Sequence, residues 1–367
     1  MVDTVKLLLR IDNPMKLNNG GFVPSVSDLV RTRGFAKSIV SIKSYSKLGT
    51  YMPRLTLNKR ILNGHAVYQL GVEFSVPKLI YGNNFEELST QDFEKTIDIL
   101  QSKLSLLTGY IFSKDELKNS EVTTWHPSKN IVFRDYTSCM GVLNTLHKLD
   151  VSKVYDVQKT NFRDGHAYHI HCNSLDIAFY DKLSDLKQAK ISEKRSLEFD
   201  SQTQFRLLDR FTSMKPLEIL RYEVRLGGKR KIKRTYPGIK ELTFVNLFKT
   251  ELCKQVLLAH WNKLTAGLDM LAQDSSRPFE LLQNVLLSNE KVTPRTALAQ
   301  VGGLMVATQE GSRGLRALLE ARFGKSVWSS VKPIMKQPKA RRYEQLVKVE
   351  ESLKEFSAIR LSGLRNQ

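Results

Sequence analysis

Between Gly165 and Lys182 the chain reads Gly-His-Ala-Tyr-His-Ile-His-Cys-Asn-Ser-Leu-Asp-Ile-Ala-Phe-Tyr-Asp-Lys. Side chains of a strand alternate between faces, so this stretch, read as a hairpin, sorts its residues by chemistry. Tyr168, Ile170 and Cys172 take one face, and His169 and His171 take the other. A two-residue turn at Asn173-Ser174 would set Ile170 against Ile177, His171 against Asp176 and His169 against Ala178. Leu175, Ile177 and Phe179 then join the apolar face, while Asp176 and Tyr180 join the histidines. Two imidazoles and a carboxylate can hold a divalent cation, and a phenol beside them can attack phosphorus. The chemistry this equipment suits is cleavage of a phosphodiester through a covalent tyrosine link.

Each part also has a plainer role. A strand-end tyrosine often packs with its hydroxyl at the surface, and a His-x-His pair recurs without a metal. A free phenol ionises at pH about 10, so Tyr180 needs help at neutral pH, which a cation and Lys182 could supply. His126 follows Val122 and Thr124 at strand spacing, and the three are expected on one face. His126 is therefore the third candidate imidazole, to meet His169 and His171 from a neighbouring strand. Imidazole suits Mn, Zn, Fe or Ni, and Asp176 moves the preference toward Mg or Mn. Open coordination would let the ion polarise a phosphate oxygen. The alternative for His126 is a strand end before Pro127 and no further part.

From Arg221 to Arg234 seven residues are Lys or Arg and one is acidic. Glu218 to Leu226 alternates as a strand with Arg221, Glu223 and Arg225 on one face, where Glu223 is expected to form a salt-bridged ladder. Gly227-Gly228 then interrupts it, and Lys229, Arg230, Lys231, Lys233 and Arg234 read as a loop that follows phosphates. A solvated turn is the other reading.

The elements that must position these groups are legible in the periodicity. Strands are expected over Asp3 to Ile11, Pro53 to Lys59, Tyr68 to Val76 (after an Asn63-Gly64 turn), Val122 to Trp125 and Val154 to Phe162. Helical spacing runs from Phe85 to Leu107, from Ser138 to Leu149 and from Lys187 to Ser213, with Pro216 as a break. After Phe244 only helices are expected: Phe244 to Met270, Pro278 to Leu287, Pro294 to Thr308, Ser312 to Phe323, Ser326 to Met335 and Ala340 to Ile359. Pro294 to Leu319 allows a helix-turn-helix, and Tyr343, Leu346, Val349, Leu353 and Phe356 form a packing stripe. The expected class is α+β, an antiparallel sheet covered by helices and followed by an all-helical C-terminal region, with the change of class at 243–244.

Composition narrows the function. The 367 residues carry 57 Lys and Arg against 37 Asp and Glu, a net charge of +20. That excess favours a polyanionic partner, nucleic acid before membrane, since no amphipathic helix concentrates the charge. No apolar run reaches membrane-spanning length. The three cysteines have no metal-finger spacing, which fits a reducing cytoplasm. A glycine-rich nucleotide loop and a nucleophile elbow are absent, which argues against nucleotide hydrolysis and serine-hydrolase chemistry.

The segment Ile177-Ala178-Phe179-Tyr180-Asp181-Lys182-Leu183-Ser184-Asp185-Leu186 resembles the nicking segment of rolling-circle replication initiators, in particular the bacterial phage and plasmid replication proteins allied to the filamentous-phage gene II protein. Met1 to Leu7, Tyr51 to Leu57, Lys78 to Phe85 and Leu220 to Arg225 are similar to that family too, and the likeness spans roughly residues 1–240. It implies a nicking domain over 1–243 with a His-hydrophobic-His endonuclease fold. It also implies that Tyr180 cuts one strand of an origin with a divalent metal (Mg or Mn), in a bacterial cytoplasm. Phage members carry an aspartate where His126 aligns, which leaves the ligand set open. The helices of 244–367 would bind DNA, single-stranded or origin duplex, or a host helicase. A protein that binds nucleic acid without cutting it, and a nuclease that uses water, are the competing readings.

Overall fold

The computed structural model describes residues 1–18, 21–40, 50–133, 137–163, 165–185, 218–266, 278, 281–282, 285–286, 291–334 and 344–360. The expected helix over Lys187 to Ser213, with Lys187 and Pro216, lies outside the described residues. The strands are β1 (Val2–Ile11), β2 (Phe22–Val23), β3 (Ala36–Val40), β4 (Arg54–Leu62), β5 (His65–Ser75), β6 (Glu121–Phe133), β7 (Val157–Arg163), β8 (Ala167–Cys172), β9 (Leu175–Asp181) and β10 (Glu218–Gly227). The helices are α1 (Val26–Arg31), α2 (Val76–Tyr81), α3 (Phe93–Thr108), α4 (Lys114–Lys118), α5 (Cys139–His147), α6 (Lys229–Thr235), α7 (Phe244–Leu247), α8 (Thr250–Thr265), α9 (Pro294–Phe323), α10 (Val327–Ile334) and α11 (Glu344–Glu355). The fold is α+β, with a large antiparallel sheet and a helical C-terminal region.

The chain divides into two compact units, and the division does not follow the change of class at 243–244. One unit comprises 1–136, 174–257 and 355–367; the other comprises 137–173 and 258–354.

In the first unit the strands run in the order β2-β3-β4-β5-β1-β6-β10-β9, with antiparallel pairing throughout. The β4–β5 hairpin turns at Asn63 and Gly64, both at positive φ (52° and 79°), as a tight two-residue turn requires. One sheet face is apolar and buried: Val5, Leu7, Leu55, Val72, Trp125, Val224, Ile177 and Phe179 all lie there at or near zero exposure. Helix α3 supplies Ile97, Leu100 and Leu104 to the same core. Phe244 of α7 packs edge-on against Phe74 at 5.9 Å and against Phe93 at 5.4 Å.

Strand β6 runs for 13 residues, well beyond the Val122–Trp125 expected. Pro127 suggested an end, but it sits where the β1 register shifts, a place where a missing N–H is tolerated. A second irregularity lies at Thr123: Lys6 pairs with Thr124 and Leu7 with Val122. This bulge turns Val122 into the core, away from Thr124 and His126, so the three do not share a face.

The second unit holds the antiparallel β7–β8 pair with α5, α9, α10 and most of α11. Its α9 is two helices joined at Gly311, whose φ of 77° breaks the turn between the two expected segments. Leu346, Val349 and Leu353 form a buried stripe on α11. Among the described residues no helix is long and apolar enough to cross a membrane.

Candidate active site on the polar sheet face

The sheet face opposite the helices is polar, and the antiparallel register places its groups. Arg221 pairs with Tyr180 and with Asn130, Glu223 with Ser128, and Arg225 with Asp176. Tyr180 donates its hydroxyl to Glu223 Oε1 at 2.7 Å. The same oxygen accepts from Arg221 Nε at 2.5 Å, while Glu223 Oε2 takes Arg225 at 2.7 Å. Arg225 Nη1 goes on to Asp176 Oδ2 at 3.1 Å. One chain of charge-assisted contacts thus joins the phenol to Asp176.

Arg221 is fully enclosed, 1% exposed, and every arm of its guanidinium is used. Nη2 meets Asp3 at 2.6 Å and Ser128 Oγ at 3.1 Å; Nη1 donates to Asn130 Oδ1 at 2.9 Å and to the Asn84 carbonyl at 3.1 Å. Arg221 is therefore an internal structural cation and is not placed to touch DNA. Arg225 is half-buried and already held between two carboxylates. Nearby, Glu87 accepts from Lys129 Nζ and from the Asn130 amide, both at 2.6 Å.

The electrostatics follow from this packing. Burial alone would raise the Glu223 carboxyl, but Arg225 and Arg221 outweigh it and hold the group well below the usual carboxylate range. Burial, then the Glu223 charge, pushes the Tyr180 phenol well above its ordinary value. Tyr180 at rest is a neutral hydrogen-bond donor. Lys182, the cation expected to assist the Tyr180 phenol, is enclosed at 1% exposure. Its Nζ lies 5.6 Å from the centre of the Tyr180 ring and 5.7 Å from that of Phe85. Burial, with Arg221 nearby, lowers its ammonium to about 8.

The candidate metal ligands are only partly assembled. In the β8–β9 hairpin one donor atom from each of His169, His171 and Asp176 falls within 4.8 Å of the others, a group that could hold a metal ion. The His169 and His171 rings stack at 5.6 Å. His126 is not among them. It lies on β6 opposite Thr4, and β10 stands between β6 and β9, so Arg225 occupies the place beside Asp176. Burial, reinforced by Arg225, lowers the His126 pKa against the opposing pull of the Glu223 charge. Tyr168, on the other face, is buried, with its hydroxyl enclosed and its pKa pushed up to about 12.

The basic run after Gly227-Gly228 is helix α6, not a loop. Ile232 buries one side of it, while Arg230, Lys233 and Arg234 are exposed and Lys229 and Lys231 are half-buried. Lys229 pairs with Glu121. Sequence reasoning missed Asp3, Ser128, Asn130 and the Asn84 carbonyl as partners of the buried arginine. The alternation of Ser128 and Asn130 was a usable signal, masked by the intervening expectation of a strand end at Pro127.

Comparison with protein-family models, with curated proteins and with solved structures finds no match to this chain.

Proposed function

We propose that the chain is a metal-dependent DNA-nicking and strand-transfer enzyme of the rolling-circle replication kind, with Tyr180 as nucleophile. The observation that carries this reading is the continuous chain Tyr180–Glu223–Arg225–Asp176, which ties the phenol to a carboxylate of the candidate metal group. The donor set of two imidazoles and one carboxylate fits a divalent ion such as Mn, and His169, His171 and Asp176 would hold it. When bound, such an ion polarises a non-bridging phosphate oxygen.

The chain's own residues would do the rest. Tyr180 Oη forms a bond to phosphorus and the P–O3′ bond breaks, giving a 5′-phosphotyrosine and a free 3′-hydroxyl. Glu223 is the acceptor already in contact with the phenolic proton, which ends on the departing 3′ oxygen. Arg225 and Arg221 keep Glu223 ionised and fixed in position. A helical region beyond residue 244 would serve DNA or a host helicase.

One observation favours a second reading, a protein that binds nucleic acid without cutting it. The phenol is held as a donor with a raised pKa, the arrangement of a structural tyrosine. A single assay separates the two. The protein is incubated with single-stranded DNA and Mn²⁺ or Mg²⁺ and resolved on a denaturing gel. The nicking reading expects a covalent 5′ adduct that is lost in Tyr180→Phe; the binding reading expects no adduct in either protein.

A further inference from the structure

Helix α6 forms the wall of a cleft of about 440 Å³ lined by Glu121, Lys229, Arg230, Lys233, Lys240 and Thr243, among others. A second cleft of about 600 Å³ begins at the same Lys240 and includes Tyr236, Asn246, Leu252 and Gln255. Both belong wholly to the first compact unit. Their chemistry differs. In the first, four cations face two carboxylates, and Glu121 is already paired with Lys229. The remaining positive charge of Arg230, Lys233 and Lys240 is exposed and suits phosphate. The second offers the Tyr236 ring, the apolar Ile239 and Leu252, the amides of Asn246 and Gln255, and two lysines (Lys240, Lys249) balanced by Glu241 and Glu251. Tyr236 donates to Gln255 Oε1 at 2.7 Å, so the ring is fixed as a platform.

We propose that these adjoining clefts bind single-stranded nucleic acid, with backbone phosphates at Arg230, Lys233 and Lys240 and a base against Tyr236. A phosphate pocket next to an aromatic and amide pocket is the alternation that one nucleotide after another presents. Each cleft has room for a nucleotide unit, and the shared Lys240 sits where backbone passes from one to the next. The neighbouring Arg221 and Arg225 cannot provide this contact, because carboxylates hold them. This inference rests on the reading that the partner is nucleic acid, and it does not need Tyr180 to cut.

The test is fluorescence anisotropy of a labelled oligothymidylate titrated with the full chain at several salt concentrations. Each cation removed should make the slope of log affinity on log salt shallower by about 0.7, so Arg230→Ala/Lys233→Ala/Lys240→Ala should flatten it by roughly 2. Tyr236→Leu should weaken binding by about tenfold or more, with the salt slope unchanged. Lys37→Ala, an exposed cation on β3, serves as a control and should preserve the affinity within twofold. Far-ultraviolet circular dichroism verifies that each variant is folded. The proposal is overturned if the triple variant binds with the parental affinity and slope. Equal losses for a hairpin duplex would overturn the assignment to single strands, and competition by inorganic phosphate as effective as by the oligonucleotide would reduce the site to a free-anion pocket. Failure of the Tyr180 adduct assay leaves the anisotropy outcome untouched, so the two readings fail separately.

Discussion

Tyr180 and Glu223 meet at 2.7 Å across the paired strands β9 and β10, and the carboxylate accepts from Arg221 through the same oxygen. A phenol in this position is oriented by a group that two guanidiniums keep negative. Orientation and acidity therefore pull in opposite directions: the contact fixes the hydroxyl and also raises its pKa. Any chemistry at Tyr180 has to move the proton held in that bond.

Removing Arg221 should be among the most damaging single changes. Arg221→Met leaves Asp3 without its cation and Glu223 with Arg225 alone, and the loss of one partner from a buried pair costs about 3–5 kcal/mol. Urea unfolding followed by circular dichroism measures it. Adding Asp3→Asn to the same chain should recover part of the loss, because the stranded charge is gone.

Lys182 makes a distinct prediction for pH. Its folded-state pKa of about 8 lies below the ordinary lysine value, so the folded chain releases this proton before the unfolded chain does. Between pH about 8 and about 10.4 the unfolded state binds more protons, and stability contributed by this group rises with pH over that window. Below pH 8 the cost of the buried ammonium is present in full. Lys182→Met should abolish the rise, and the difference between the two unfolding free energies should change by on the order of 3 kcal/mol across the window. A parallel pair of stability curves would contradict the lowered pKa.

The His169, His171 and Asp176 group predicts metal-dependent stabilisation. Mn²⁺ or Zn²⁺ at one hundred times its dissociation constant should stabilise the fold by about 2.7 kcal/mol, seen as an upward shift of the thermal midpoint. The shift should vanish in His171→Ala and persist in His126→Ala, since His126 stands outside the group.

Two glycines of α9 should respond in opposite directions. Gly311 sits at φ 77°, and a Cβ there would lie 2.9 Å from the Lys148 carbonyl oxygen. Gly311→Ala should cost at least about 1–2 kcal/mol from the left-handed backbone alone. Gly302 lies within the helix with open space around it, and Gly302→Ala should stabilise by about 1 kcal/mol. Thermal denaturation of the two variants side by side checks both signs.

What the sequence made legible was local. Alternation placed Tyr168, Ile170, Ile177 and Phe179 in the core and left His169, His171, Asp176 and Tyr180 half-buried, and it aligned Arg221, Glu223 and Arg225. The Asn63-Gly64 turn and the helix break at Gly311 follow from backbone preferences of single residues. What alternation could not convey was distance in sequence. Arg221 finds Ser128 93 residues away and Asn84 137 residues away, and no periodicity links such partners. The Thr123 bulge changes which face Val122 occupies without altering any residue type, and Pro127 hides a long strand behind a residue that usually ends one. The basic run formed a helix because Ile232 supplies a buried anchor on one side, a signal too short for periodicity to register.

Ile359 closes on Glu87, its carbonyl taking the Glu87 amide at 2.9 Å and its amide meeting the Glu87 carboxylate at 3.2 Å, across 272 residues. During synthesis, the strands near the beginning of the chain emerge long before this clasp exists. The sheet unit must wait, incomplete and with Lys129 and Glu87 under-satisfied, until residues 355–360 leave the ribosome. Nascent chains stalled short of that point should be the ones that chaperones hold and proteases clear.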